Sequence, residues 1–430
     1  MRYHFPLSAV VCTLHKGMVY RKLHIENGRK SRTRRQKRGK MKKQNKQFGM
    51  TVKRIGAVCL STVLAAGVLT GCGSSNSSAD NKTVTIWATG SDNTKVQLEA
   101  QIAKFNSIQS DYVAELQYIT SGTGAQGLDS RIIAAKKAGQ TNTDFDLVEL
   151  SEGSIDAFLE QGGEDLFETI DTSKLANYKN LTATNSYRND IMIPYRGTTV
   201  GIAYNSETVP NPPKTAEELY QWIQDNPGRF AYNTPGSGGA GGSFVLTAVY
   251  NFLPEEALTS SDEKYMDQWT QGFDLLKELH PYMYQSGGKV VYPNKNQGTL
   301  DLLANKEVDI IPAWADMVLS QKKLGTMPES IQFAQISPAL TGETVGWGIP
   351  SIGSNSEGAM AFIDYMLSPE AQNIAVDTQA AIPVIDFSLL DQNLVSTISS
   401  LDVSAFRLSA IGSLGTALVE KWDAEIGTLK

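Results

Sequence analysis

The alternation of β-rich and helical runs over residues 83–150 is the feature that most constrains the fold. Thr83–Ala88 predicts a first strand, and Tyr112–Ile119 and Phe145–Leu150 predict the next two. A helix is expected from about Asp92, because apolar residues recur there at helical spacing. Strands alternating with helices are typical of a parallel sheet with crossover helices. The sequence therefore predicts an α/β fold.

A second block of α/β alternation follows the β-branched run Arg196–Asn205. Thr215 and Glu218 have the spacing of a capping box ahead of an amphipathic helix. Phe230–Tyr232 and Val308–Ala313 are expected to be strands. This block predicts a second lobe.

The C-terminal part predicts one more strand and several helices. Thr344–Pro350 has strand character, and Ser354 with Glu357 predicts a helix cap. Ser368–Pro369 should begin another helix, because proline is favoured at the first helical position. Residues 393–430 are amphipathic and expected to be mostly helical.

An export signal is predicted near the N-terminus. The apolar run Ile55–Leu69 follows a basic stretch and is too short to span a membrane comfortably. Leu69–Cys72 resembles a bacterial lipobox, which implies cleavage before Cys72 and a diacylglycerol on its thiol. We thus assign 1–71 to a basic leader and signal peptide, with Met41 or Met50 as the expected true start. Residues 72–81 form a lipidated Ser-rich tether.

The processed chain is strongly acidic. Residues 1–71 hold 17 of the 39 Lys and Arg but one of the 45 acids, so the remainder has a net charge of −22. This charge disfavours nucleic acid as a partner. The cysteines are at positions 12, 59 and 72, so no disulfide is expected after processing.

Catalytic and metal-binding motifs are sparse. His280 is the single histidine after residue 72, and the sequence lacks HExxH and a cysteine cluster. We therefore expect no metal, no cofactor and no enzyme. Carboxylate pairs at Glu149/Glu152 and Asp144/Asp146 leave a secreted hydrolase as an alternative.

Two Gly-rich segments are candidate ligand contacts. Gly122–Gly127 matches G-x-G-x-x-G, and we favour a turn whose N–H groups face a ligand over a dinucleotide site. Pro235–Ser243 is neither a P-loop nor a nucleophile elbow, and it leaves a flexible connector and a ligand contact open. Aromatic residues at expected strand ends, with nearby acids, could enclose a flat or cationic ligand.

Two segments carry a family resemblance. Gly201–Val209, with the prolines and helix after it, resembles the crossover of type II solute-binding proteins of ABC importers. Asn355–Gln372 resembles their closing helices. Asn226–Phe230 and the loop after it resemble the thiamine-transport branch, which neighbours the polyamine and ferric-iron binders. The adjacent tyrosines of many iron binders are missing, and Val345–Pro350 lacks the Trp-x-Asp of polyamine binders.

The resemblance implies a two-lobed periplasmic-binding-protein-like fold of type II, with a two-strand hinge and the ligand in the interlobe cleft. Lobe one would be 82–198 plus 338–430, and lobe two 199–337. The protein would capture a small solute at the extracellular face of the membrane and deliver it to ABC permease subunits. We expect a lipid-anchored monomer whose ligand is thiamine-like or another small cation or phosphate ester. An oligosaccharide or polyamine ligand, and a ligand-sensing lipoprotein, remain alternatives.

Topology gives the expected ligand contacts, which are loop and strand-end positions facing the predicted cleft. They are Trp87, Ser121, Gly122, Thr123, Gly124, Glu149, Tyr195, Ser237, Gly238, Ser243, Trp314, Asp316 and Trp347.

Overall fold

A computed structural model describes residues 82–121, 127–182, 188–402 and 407–429. The predicted signal peptide, Cys72 and Gly122–Gly124 lie outside these residues. Within the described ranges, no helix has the length and apolarity needed to cross a membrane. The strands are β1 Thr83–Gly90, β2 Val113–Thr120, β3 Leu147–Ser151, β4 Ile193–Asn205, β5 Gln285–Ser286, β6 Lys289–Val290, β7 Ile310–Trp314, β8 Ile331–Ala334 and β9 Gly342–Gly348. The helices are α1 Asp92–Ile108, α2 Leu128–Lys137, α3 Ile155–Gly162, α4 Ala216–Asp225, α5 Gly239–Tyr250, α6 Thr270–Leu279, α7 Lys295–Ala304, α8 Ala315–Lys323, α9 Ser356–Met366, α10 Pro369–Gln379, α11 Gln392–Val395 and α12 Leu414–Glu425.

The long strand β4 belongs to both halves of the main sheet. The strand order is β2-β1-β3-β9-β4-β7, and β8 also pairs with β4. β1 is parallel to β2 and β3, whereas β9 is antiparallel to β3 and β4. Residues 193–199 of β4 pair with β9, and residues 200–205 pair with β7 and β8. The α/β prediction is confirmed, and β4 is one connection between the two lobes.

Local sequence signals placed most helix starts. Thr215 Oγ1 accepts from the Glu218 N–H at 3.1 Å, and Ser368 caps α10 as expected. The cap of α9 differs, since Asn355 accepts from the Gly358 N–H while Ser354 bonds to Asp146. The Gly-rich segment is also more helical than predicted, because α5 begins at Gly239 rather than at Phe244.

Two other predictions about local structure need correction. Residues 230–232 form no strand, because only Phe230 makes bridges, one with Met283 and one with Ile310, and its neighbours continue neither ladder. The region 393–430 is helical only at α11 and α12 among its described residues. Some of the apolar residues that predicted a helix in this region lie instead in irregular connecting segments.

Separate hydrophobic cores define the lobes. The lobe-one core joins β1, β3 and β9 to α1, α9 and α10, while the lobe-two core surrounds α4, α5 and α6. Ile411, Leu418 and Trp422 lie in the lobe-two core, and Trp422 Nε1 donates to the Tyr232 hydroxyl at 3.0 Å. The sequence division placed all of 338–430 in lobe one. We propose instead that 407–429 belongs to lobe two.

Asp146 ties three elements of lobe one together. Its carboxylate accepts from the backbone N–H groups of Thr85, Ser354 and Asn355 at 2.7–2.9 Å. The Ser354 hydroxyl donates to the same carboxylate at 2.9 Å. Asp146 is buried, so these bonds compensate the cost of removing its charge from water. A residue considered for catalysis is thus a structural anchor between β1, β3 and α9.

Arg229, from the segment that resembles the thiamine-transport branch, has a structural role in lobe two. Its guanidinium makes two bonds to Asp309, at 2.6 and 2.7 Å, and a third to the Glu307 carbonyl at 2.8 Å. Burial alone would raise the pKa of Asp309, but Arg229 and Thr208 lower it below the ordinary value. The arginine fastens the end of α4 and its loop to the start of β7.

Candidate functional site

A cavity of about 420 Å³ lies between the lobes and is called here the interlobe cavity. Lobe one contributes the β1–α1 turn, and lobe two contributes the Gly-rich segment and the β7–α8 junction. The strands β4 and β9 form its floor. Its described lining consists of Gly90, Ser91, Thr94, Ser121, Arg196, Thr198, Pro235, Gly236, Ser237, Gly238, Gly239, Asn296, Trp314, Asp316, Glu343 and Val345.

A second cavity of about 470 Å³ adjoins it and is called the lobe-one cavity. Its walls come from lobe one and from β4 and β9. Ser121, Arg196, Glu343 and Val345 border both cavities, so the two lie directly next to each other, and they are referred to together as the cleft. Its described lining consists of Thr89, Ile119, Thr120, Ser121, Gly127, Leu128, Asp129, Glu149, Leu150, Ser151, Ser154, Ala157, Phe158, Arg196, Glu343 and Val345.

A buried ion pair stands at the border of the cavities. Arg196 Nη2 lies 3.3 Å from Glu149 Oε1, and their side chains are 9% and 6% exposed. The Tyr195 hydroxyl donates to Glu149 at 2.6 Å and accepts from Arg196 Nε at 2.9 Å. Burial acts to lower the pKa of Arg196, but Tyr195, Glu149 and Asp316 together raise it above the ordinary arginine value. Arg196 is therefore charged, and Glu149 balances it.

Stacking of Tyr195 on Trp347 supports this ion pair. The rings of Tyr195 and Trp347 stack with centroids 4.7 Å apart, and both residues are fully buried. Gln372 Nε2 donates to the Tyr195 carbonyl at 2.7 Å. Burial raises the pKa of Tyr195 well above its usual value, so its hydroxyl keeps the proton that it donates to Glu149.

Asp316 connects the lobes at the first turn of α8. Its Oδ2 accepts from Asn93 Nδ2 and from Gln379 Nε2, both at 2.8 Å. Its Oδ1 accepts a longer bond from the Thr198 hydroxyl at 3.4 Å. All three donors are neutral, so they satisfy the carboxylate without cancelling its charge. Asp316 therefore gives the interlobe cavity a negative wall.

Glu343 adds a second carboxylate at the border of the two cavities. Burial raises the pKa of its carboxyl above the ordinary glutamate value, and nearby Glu152 acts in the same direction. Bonds from Ser151 and from the Gly153 N–H oppose this shift, as does the charge of Arg196. A cation placed beside Glu343 would favour its ionised form.

The first turn of α5 faces the cleft, and two of its backbone amides are engaged by asparagine side chains. The Ala240 N–H donates to Asn296 Oδ1 at 3.1 Å, and the Gly241 N–H donates to Asn233 Oδ1 at 2.9 Å. A Cβ on Gly239 would lie 2.8 Å from the Trp314 ring. The glycines thus allow close packing of Trp314 and the asparagine caps. Because these two amides are occupied, this helix start is less suited to holding a phosphate.

Six of the described predicted residues line the cleft. Ser121, Ser237, Gly238, Trp314 and Asp316 border the interlobe cavity, and Glu149 borders the lobe-one cavity. Tyr195 and Trp347 lie behind the lining as described. Whether each lining residue contacts a ligand stays a prediction.

Trp87 and Ser243 lie outside the lining of both cavities. The Trp87 ring packs against Phe145 at 5.0 Å, under the Arg131 guanidinium, and its Nε1 donates to the Asp144 carbonyl. Ser243 is buried one turn inside α5, where its hydroxyl accepts from the Thr341 N–H at 2.9 Å. Both side chains are thus engaged in holding the scaffold.

Sequence reasoning missed Arg196, Glu343, Thr198 and Asn296. The available signal was a charged residue in each of two otherwise β-rich runs, since a buried strand carries a charge only where a partner or ligand meets it. The partner of Arg196 lies 47 residues away, which no local pattern shows.

The carboxylates Glu149 and Glu152, considered for hydrolysis, each have hydrogen-bond partners within the scaffold. Glu149 is held by Tyr195, Arg196 and the Thr89 N–H. Glu152 is fully buried, and its Oε2 accepts from the Thr344 N–H at 2.8 Å. In the described part of the chain, no group of three His, Cys, Asp or Glu residues is placed to hold a metal ion.

Comparisons with known structures agree with this architecture. A Listeria monocytogenes protein assigned to spermidine/putrescine ABC transport is 18% identical, with a TM-score of 0.59 over 81% of this chain and 100% of that one. A periplasmic thiamin binding protein is 15% identical, with a TM-score of 0.59 over 80% and 96%. The Trichodesmium protein IdiA (FutA), in complex with iron and citrate, is 16% identical, with a TM-score of 0.55 over 80% and 99%. These neighbours confirm the two-lobed fold.

Sequence comparison identifies the family. No curated protein is significantly similar in sequence. Residues 100–397, more than half of the chain, match the family model described as bacterial extracellular solute-binding protein. The predicted resemblance is confirmed, and the chain belongs to the bacterial extracellular solute-binding protein family.

Proposed function

We propose that this solute-binding protein captures a small organic cation and is the substrate-binding component of an ABC importer. The observation that carries the proposal is the charge balance of the cleft. Arg196 is the one cation among the described residues lining the two cavities, and it is paired with Glu149. The interlobe cavity also carries Asp316 and Glu343, and although the charge of Arg196 acts on both, one cation among these described residues cannot balance three carboxylates.

The chemistry of the interlobe cavity fits such a ligand. Trp314 supplies an aromatic surface next to Asp316, and organic cations bind aromatic faces and carboxylates together. Hydroxyl and amide groups of Ser91, Thr94 and Asn296 can orient polar atoms. Because the Ala240 and Gly241 amides of α5 are engaged by asparagines, a cation is favoured over the phosphate ester that the sequence left open.

The names of two structural neighbours, spermidine/putrescine and thiamin, refer to cationic solutes. At identities of 18% and 15%, these two neighbours support the fold of this chain and not the identity of its ligand. A ligand that contacts both lobes favours the closed state through its higher affinity for that state. The closed protein would then deliver its ligand to membrane permease subunits.

A thermal-shift screen of residues 75–430, which form one compact unit, tests the ligand class. The protein is unfolded and refolded first, to release co-purified ligand. Thiamine, spermidine and tetramethylammonium are compared with inorganic phosphate, maltose and ferric citrate. A cation at about 100 times its dissociation constant should add about 2.7 kcal/mol of stability.

Two variants serve as the control for this screen. One removes a carboxylate charge inside the cleft, and the other removes one outside it. Glu343→Gln should weaken the response to cations, whereas Glu420→Gln on the exposed side of α12 should leave it unchanged. A response confined to maltose or phosphate, or equal cation responses in both variants, would refute a cation-binding cleft.

Attachment to the outer face of the membrane is a separate part of the proposal. It rests on the lipobox-like residues Leu69–Cys72 and the Ser-rich tether. The full chain expressed in a bacterium should enter the detergent phase of a Triton X-114 extract, and Cys72→Ser should move it to the aqueous phase. Cys59→Ser, inside the predicted signal peptide, is the matched control and should not change the partition.

A further inference from the structure

The lobe-one cavity combines an apolar wall with a polar wall in which Arg196 and Glu149 are paired. Its apolar side consists of Ile119, Leu128, Leu150, Ala157, Phe158 and Val345. On its polar side, the only cation among the described lining residues is paired with Glu149. Apolar surface of this kind gains free energy when an apolar group displaces water from it.

We propose that the ligand has two parts, a cationic head in the interlobe cavity and an uncharged apolar arm in the lobe-one cavity. The head rests on the function proposed above, whereas the arm rests on the lining of the lobe-one cavity alone. The ligand class is therefore an amphipathic organic cation.

The position of the charges assigns the two ends. Asp316 lines the interlobe cavity, and its hydrogen-bond donors among the described residues are neutral. In the lobe-one cavity, Glu149 is already bonded to Arg196 and Tyr195. Asp129 also lines that cavity, but it lies in the first turn of α2, where the helix dipole stabilises a negative charge. A cation is thus better accommodated beside Asp316.

One molecule can occupy both cavities. Ser121, Arg196, Glu343 and Val345 border both cavities, which places the two side by side, and a ligand that extends past these four residues would reach from one into the other. Glu343 lies at this border, next to the junction of head and arm. Each cavity also falls in the volume range of small-molecule sites, about 300–1,000 Å³.

Binding of matched probes to residues 75–430, measured by titration calorimetry, tests the proposal. Tetramethylammonium represents the head, 3-phenylpropyltrimethylammonium adds an arm, and 3-phenylpropanol is the arm without charge. The phenylpropyl cation should bind about 10- to 100-fold more tightly than tetramethylammonium, because its ring is buried against the apolar wall.

Ala157→Leu narrows the lobe-one cavity, and Ala424→Leu makes the same change on the exposed side of α12. Ala157→Leu should abolish the affinity gain of the phenylpropyl cation and leave tetramethylammonium binding unchanged. Ala424→Leu should retain the gain. Ala157→Val replaces the leucine variant if the latter lowers the melting temperature.

The outcomes separate the arm from the head. If neither phenyl probe shows binding that depends on Ala157, the two-part ligand is refuted. If 3-phenylpropanol binds in an Ala157-dependent manner while neither cation responds to Glu343→Gln, the arm is supported and the cationic head is refuted.

Discussion

Asn93 in lobe one donates a hydrogen bond to the Asp316 carboxylate in lobe two across 2.8 Å. Asn93→Asp would place two carboxylates in contact and disfavour the closed state by about 1–4 kcal/mol. We expect a larger radius of gyration by small-angle X-ray scattering and at least about tenfold weaker binding of a cationic ligand. Asn305→Asp, exposed at the end of α7, makes the same charge change outside the cleft. Equal affinities for the two variants would show that this bond does not stabilise closure.

The Glu343 carboxylate is expected to lower the stability of the unliganded protein while it favours the binding of a cation. Because burial raises the pKa of Glu343, the unliganded protein is destabilised when this carboxyl ionises, and this cost grows as pH rises through the raised pKa. Glu343→Gln should therefore raise the melting temperature at about pH 7, and its advantage over wild type should vanish below the ordinary glutamate pKa of about 4.3.

Melting curves of wild type, Glu343→Gln and Glu420→Gln between about pH 4 and pH 7 check this prediction. A Glu343→Gln protein with the same pH profile as wild type would mean that Glu343 titrates normally.

Adjacent glycines in α5 are expected to differ sharply in their tolerance of alanine. A Cβ on Gly241 would lie 1.9 Å from the Asn233 carbonyl oxygen, so Gly241→Ala must displace the cap of α5. We expect a loss of about 2 kcal/mol or more in urea unfolding. At Gly242 the nearest atom to a Cβ is 3.8 Å away, and Gly242→Ala should be neutral or stabilise by up to about 1 kcal/mol. Equal losses at both positions would contradict the tight contact at Gly241.

Asp146 and Asp144 in lobe one are also expected to differ in how much stability is lost on substitution by alanine. Asp146→Ala would leave the N–H groups of Thr85, Ser354 and Asn355 without their acceptor, and we expect a loss of about 3 kcal/mol or more. Asp144 is exposed, so Asp144→Ala should change stability by less than about 0.5 kcal/mol. Denaturant unfolding measures both, and similar losses would assign the effect to the loop rather than to the Asp146 carboxylate.

Local patterns predicted the scaffold well for a physical reason. Strand alternation and capping boxes depend on residues within a few positions of one another, as in the Thr215–Glu218 cap. The local pattern gave the wrong helix cap where a residue distant in sequence bonded to the predicted capping side chain. Ser354 bonds to Asp146, 208 residues away, and the cap of α9 passes to Asn355.

The cleft was less predictable, because its residues meet only in the folded chain. Trp87 was expected to face a ligand, and its ring packs against Phe145 and Arg131 outside the lining of both cavities. Asp316 was predicted, although its partner Asn93 is 223 residues away and no spacing indicated it. The position of a side chain near a strand end could be predicted, whereas its neighbours could not.

The place of β9 between β3 and β4 also sets the order in which the protein can be completed. β3 ends at Ser151, yet the strand beside it is Gly342–Gly348. During synthesis the sheet of lobe one therefore has a gap until residue 348 has been made, when more than three quarters of the chain already exists. Late closure of the sheet delays the completion of lobe one, and a chain that is still incompletely folded is one that can be threaded through a narrow channel.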